Sequence, residues 1–265
     1  MTWLAWRQYR TGLLIALAIL AAMAMYLIPT GLDNLSEYRS SGLDSCLESG
    51  RDCVELRDRF TNGFNSVERV VGWFNFAPAI IGMLLAAPLV AEFEQRTHRL
   101  AWTQSITRER WLGVQIAMAL SGVIVFSVVL TAIMTWWYAP LDQTVTLAGK
   151  DLGSSFEFEG AMPLAYTSFA LALALAAGAW TRRTLAAMPI ALVGFVVARL
   201  GALTVLRQGP TSDVSFEAPA GRLAVNEATR DMERFWTVQA IEAAIFLSLA
   251  AILLGVTVWA VRRRG

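Results

Sequence analysis

Residues Pro163–Leu206 read PLAYTSFALALALAAGAWTRRTLAAMPIALVGFVVARLGALTVL. Two apolar runs, Pro163–Trp180 and Leu185–Leu206, are separated only by Thr181, Arg182, Arg183 and Thr184. Each approaches the roughly 20 helical residues that cross a hydrocarbon core. The stretch therefore reads as two membrane helices joined by a tight hairpin. Pro163 opens the first, at the helical position where a missing N–H costs least. Both runs are continuous rather than alternating, which argues against an outer-membrane β-barrel.

Working outward, four further runs have the same character: Thr11–Ile28, Val70–Ala91, Leu112–Trp137 and Val238–Val261. Composition agrees with them. The 265 residues are 56% hydrophobic and only 16% charged, with a mean hydropathy of +0.50. A soluble domain carries about 25% charged residues, so this chain has too little charge to coat a soluble surface. Ten Trp, often near the ends of the runs, suit the aromatic belts at lipid–water boundaries. The chain reads as an all-α integral membrane protein, one domain of six transmembrane helices over residues 1–265. Disorder, collagen and a secreted disulfide scaffold are excluded.

Charge sets the orientation. One set of connecting segments holds Arg7, Arg10, Arg96, Arg99, Arg108, Arg110, Arg182, Arg183, Arg262, Arg263 and Arg264 against only Glu92, Glu94 and Glu109. The opposite segments hold ten basic and seventeen acidic residues. By the positive-inside rule the basic end is cytoplasmic and both termini lie there, in a plasma-membrane protein. Trp3, Leu4, Trp6 and Tyr9, mixed with Arg7 and Arg10, suit an amphipathic interface helix over residues 1–10, the alternative being a frayed terminus. The same arginines, with Ala22-Met23-Ala24 further on, could mimic a signal peptide; a retained first span is the expectation.

At the acidic end, the loop Pro29–Arg69 contains both cysteines, Cys46 and Cys53. On an oxidising face they are expected to form a disulfide pinning a small extracellular cap, with two free thiols as the alternative. The basic end is nearly bare. Its one sizeable segment is Glu92–Trp111, EFEQRTHRLAWTQSITRERW, where a cytoplasmic partner would have to dock; the plainer alternative is a charged loop that only fixes topology. The chain has no phosphate-binding G-x-x-x-x-G-K-[ST], and His98 is its only histidine. An intrinsic enzyme is not expected, and neither is a cofactor, a metal or a nucleic-acid partner for this chain.

The stretch Glu92-Phe93-Glu94-Gln95-Arg96-Thr97, after a span ending Ala87-Pro88-Leu89-Val90-Ala91, resembles the permease subunits of ABC exporters of the ABC-two type, or type V. Those permeases carry an E-x-E-x-G-T-like sequence between their second and third spans, followed by a Ser/Thr-Arg pair; Thr107-Arg108 and Arg110-Trp111 fill the later part here. Trp3–Gln8 and Thr97–Ser105 are similar to an actinobacterial branch of the family. Arg96 stands where the common pattern has Gly, which favours a continuous helix over a tight turn.

The resemblance implies a second permease chain, identical or not, and two separate ATP-binding subunits that hold ATP and magnesium. It implies that Glu92–Trp111 carries a coupling helix, with Glu92, Glu94, Thr97, Arg99 and Arg108 as contacts to the ATPase. It also implies that the first, second and fifth spans frame a pathway in which Trp73, Phe74 and Phe76 could meet an apolar substrate; interfacial anchoring is the alternative. The cargo would be an amphipathic or hydrophobic drug, peptide antibiotic or lipid.

Arg199 and Glu242 lie inside spans, where an unpaired charge costs about 2.5–3.5 kcal/mol on insertion scales. They read as an ion pair locking the fifth and sixth helices, as polar contacts along a substrate pathway, or as snorkelling side chains. Small residues in the second and fourth spans, among them Gly82, Ala170 and Gly178, point to close helix packing. The competing function is a membrane-embedded sensor or scaffold recognising a ligand through its extracellular loops. A proton-coupled carrier is disfavoured because the spans are nearly free of acids.

Overall fold

The computed structural model describes residues 2–42, 46, 54–95, 108–145, 155–207 and 222–264. They form helices α1 (Thr2–Ser40), α2 (Val54–Val71), α3 (Ala77–Gln95), α4 (Arg108–Val145), α5 (Met162–Thr181), α6 (Thr184–Ala202) and α7 (Arg222–Arg264). A 3-10 turn, Gly72–Phe76, leads from α2 into α3, and a π-helical turn, Leu203–Arg207, continues α6. No strand occurs among the described residues. Six segments are long and apolar enough to cross a membrane: Tyr9–Ser40, Arg69–Glu94, Arg110–Pro140, Met162–Thr181, Thr184–Leu206 and Arg234–Arg263. Each contains one of the six runs read from the sequence.

The helices overrun those runs. Helix α1 starts at Thr2, so residues 2–10 continue into the first span instead of forming a separate interface helix. No proline interrupts them. At its other end α1 passes through Pro29 to Ser40, and α4 passes through Pro140 to Val145. Pro29 removes one backbone donor, and the adjacent Thr30 hydroxyl turns back to donate to the Tyr26 carbonyl at 2.8 Å. The loop expected over 29–69 is thus helical over its described flanks, and α7 begins far ahead of its span.

These extensions pack at the acidic end through aromatic rings. Phe64 lies 4.6 Å from Trp137 and 6.3 Å from Phe60, centroid to centroid, and Phe60 lies 5.8 Å from Tyr38. Trp137 Nε1 donates to Thr30 Oγ1 at 3.1 Å, tying α4 to α1.

Helix α5 is the hub of the bundle. In its apolar window 83% of residues are buried within the chain, against 11% in α6, and it packs along α3, α6 and α7. Small residues make this possible. A Cβ at Gly82 of α3 would stand 2.6 Å from the Thr167 carbonyl oxygen and 2.7 Å from Ala170 Cβ; one at Gly178 of α5 would stand 2.5 Å from Val90. The small-residue pattern therefore packs helices within one chain.

Candidate functional site

At the basic end the hairpin turn is tight. Helix α5 ends at Thr181 and α6 starts at Thr184. Arg182 adopts the left-handed conformation (φ 54, ψ 27), its N–H donating to the Gly178 carbonyl at 2.8 Å. Arg183 is extended (φ −138, ψ 118) and its side chain does not cap α6. The cap comes from another helix: the Thr184 N–H donates to Glu94 Oε2 at 2.9 Å. A carboxylate is well suited to the positive end of a helix dipole. Nearby, the Glu92 carboxylate lies close enough to the buried Tyr9 phenol of α1 for its charge to act on it.

Of the residues assigned to ATPase contact, Glu92 and Glu94 thus occupy the last turn of α3, and Arg108 is the first residue of α4. Thr97, Arg99 and Arg96 lie outside the described residues.

Toward the acidic end, a buried polar network joins α5, α6 and α7 to the segment before α5. Residues 155–161 fold inward, with Phe156, Glu157, Phe158 and Glu159 all buried. Arg199 of α6 pairs with Glu157 and donates through Nη1 to the Asn75 carbonyl at 2.9 Å. Its guanidinium lies 5.1 Å from the centre of the Tyr166 ring, a cation–π distance. The Tyr166 hydroxyl donates to Glu242 Oε1 at 2.5 Å. Gln239 Nε2 donates to the carbonyls of Phe156 and Glu159, each at 3.2 Å, which pins the inward turn to α7. Gly160 is required there: its φ is 57, and a Cβ would meet Gln239 at 2.4 Å.

A direct Arg199–Glu242 lock was one of three readings of the sequence, and the structure gives these two residues partners that the sequence did not show. Arg199 takes Glu157, a residue counted among the outer loop acids, and Tyr166 stands between Arg199 and Glu242. Glu242 does not snorkel: it is fully buried within the chain, because α7 begins twenty residues before it.

Trp73, Phe74 and Phe76 all sit on the Gly72–Phe76 turn, where the Trp73 and Phe76 rings lie 6.2 Å apart and Phe74 turns away from them. Phe74 packs edge-on against Tyr26 at 6.1 Å, whereas Trp73 and Phe76 are exposed on the chain's surface. Cys46 follows Gly42 by one turn, its N–H donating to the Gly42 carbonyl at 3.0 Å. Cys53 lies outside the described residues.

Sequence reading missed Glu157, Glu159, Tyr166 and Gln239. A signal was present in Phe156-Glu157-Phe158-Glu159-Gly160, where aromatic residues alternate with acids just before Pro163. Two large apolar rings in an otherwise polar loop call for burial, and they carry the intervening acids inward. The link from Glu94 to Thr184 spans 90 positions and left no local signal.

Among protein families, the model described as ABC-2 membrane transporter related matches residues 17–207, well over half of the chain, from within the first span to the end of the fifth. No curated protein and no solved structure matches.

Proposed function

The chain belongs to the ABC-2 membrane transporter related family, and from that premise we propose that it is the membrane-spanning permease of an ATP-driven exporter. Two permease chains pair, and two separately encoded ATP-binding subunits attach at the basic end. The observation that carries this reading is the family match over five consecutive spans, in a chain that has no phosphate-binding loop of its own.

The mechanism follows from where the chain is rigid and where its partner can bind. Closure of the ATP-binding subunits pushes on the segment 92–111, the one sizeable connection at the basic end. Helix α5, packed closely against α3 and α7, moves with them as a block. Helices α1, α6 and α7 expose Leu14, Leu17, Val193, Val197 and Ile252 to lipid, to the second permease or to an amphipathic cargo. Glu92 and Arg108 lie toward the two ends of the docking segment, with Thr97 and Arg99 between them. In this reading both termini lie in the cytoplasm on the ATPase side, and transport runs outward, away from it. A Cys46–Cys53 disulfide braces the extracellular side.

The test is co-purification of an ATP-hydrolysing subunit with the tagged chain, released by charge reversal at Glu92.

A further inference from the structure

The cap on α6 has a mechanical consequence. Thr184, Leu185 and Ala186 have no intrahelical acceptor for their N–H groups, as at every helix start. The first intrahelical bond runs from the Ala187 N–H to the Arg183 carbonyl at 3.0 Å. Arg183 provides no side-chain cap, so the Glu94 carboxylate takes one of the orphan donors from across the structure, and the Arg183 charge acts on it as well. Such a charge-assisted bond is stronger and more directional than a neutral one.

Its location matters more than its strength. Glu94 is the penultimate residue of α3, immediately ahead of the 96–107 connection, and Thr184 is the first residue of α6. Helix α6 is also the least buried of the six spans, with 11% of its window buried within the chain. Toward the acidic end α6 is held by the Arg199 network and by Phe195, whereas at the basic end it is held by the hairpin turn and the Glu94 cap.

We propose that Glu94 is a positioning residue that transmits displacement of the 92–111 segment to α6 through the Thr184 N–H, and is not itself an ATPase contact. The inference rests on the exporter reading above. Movement at the basic end of α3 pulls the start of α6, while the densely packed α5 resists bending. The basic end of the span least buried within the chain thus becomes the part that responds to the motor.

The decisive variant is Thr184→Pro. Proline is favoured at the first helical position, and the extended Arg183 satisfies the restriction that a following proline imposes. The substitution therefore removes the donor and leaves the helix able to form. Hydrogen–deuterium exchange would be compared in the permease–ATPase complex in lipid nanodiscs, without nucleotide and with ATP plus vanadate. In the wild type, nucleotide changes exchange both in 92–111 and across the first two turns of α6. In Glu94→Met, which has no oxygen to accept the bond, and in Thr184→Pro, the change in 92–111 persists and the α6 response is lost; Thr184→Ala, which keeps the N–H, retains it. An α6 response that survives in Thr184→Pro overturns the proposal, as does loss of ATPase binding in Glu94→Met. A wild-type chain that retains no ATPase overturns the exporter reading and this inference with it.

Discussion

The Tyr166 hydroxyl donates to Glu242 Oε1 at 2.5 Å, and the same phenol ring carries the Arg199 guanidinium on its face. One side chain of α5 thereby connects the ionisable residues of α6 and α7, and its ring also packs at 4.9 Å against Phe246. Tyr166→Phe keeps the ring and loses the hydroxyl. It is expected to cost about 1–3 kcal/mol, the usual penalty for depriving a buried polar group of a partner. Thermal unfolding of the detergent-solubilised chain measures it; an unchanged midpoint would show that this hydrogen bond contributes nothing.

The Arg199–Glu157 pair makes a sharper prediction. Breaking a buried pair from one side strands the other charge at a cost of about 3–5 kcal/mol, whereas replacing both partners by apolar residues costs far less. Arg199→Met and Glu157→Met should each destabilise strongly, and the double variant should recover most of the loss. Exchanging the two charges should likewise rescue folding in Arg199→Glu with Glu157→Arg, but not in Arg199→Glu with Glu242→Arg. Rescue by the second combination would restore the direct Arg199–Glu242 lock.

Helix spacing can be tested at glycine. Gly82→Ala places a methyl group against the backbone of Thr167 and Leu171, which cannot yield as a flexible side chain would. Overpacking of this kind costs about 1–3 kcal/mol. Gly255→Ala in α7, where a Cβ meets nothing within 4 Å, should be neutral or slightly stabilising. Equal midpoints for the two variants would contradict the close α3–α5 contact.

The hairpin turn depends on Arg182 at φ 54. A β-branched residue is a genuine outlier in that region, whereas glycine enters it freely. Arg182→Val should therefore lower the unfolding midpoint, and Arg182→Gly should match the wild type or exceed it.

Much of the architecture was legible because lipid enforces a simple rule: a spanning segment must be apolar over a helical length. The Pro163–Leu206 stretch announced its hairpin through a two-arginine interruption too short for anything else. The ends of the helices were less legible. Pro29 read as the start of a loop, yet it lies inside a helix, because a local side-chain bond and flanking aromatic packing outweigh a single missing donor. The polar network was hidden for a related reason. Charge counting assigns Glu157 to solvent, and only its flanking phenylalanines hint that the segment turns inward. Glu94 was read as a surface contact because nothing in one sequence reveals that Thr184 lies beside it.

The central claim is that this permease works with a separate ATPase. The most direct test is a mild-detergent pull-down of the tagged chain from its native membranes, followed by an ATPase assay on the eluate. The account predicts a stoichiometric ATP-binding subunit that hydrolyses ATP and is released by Glu92→Lys. A chain that elutes alone, with no ATP hydrolysis, would contradict it.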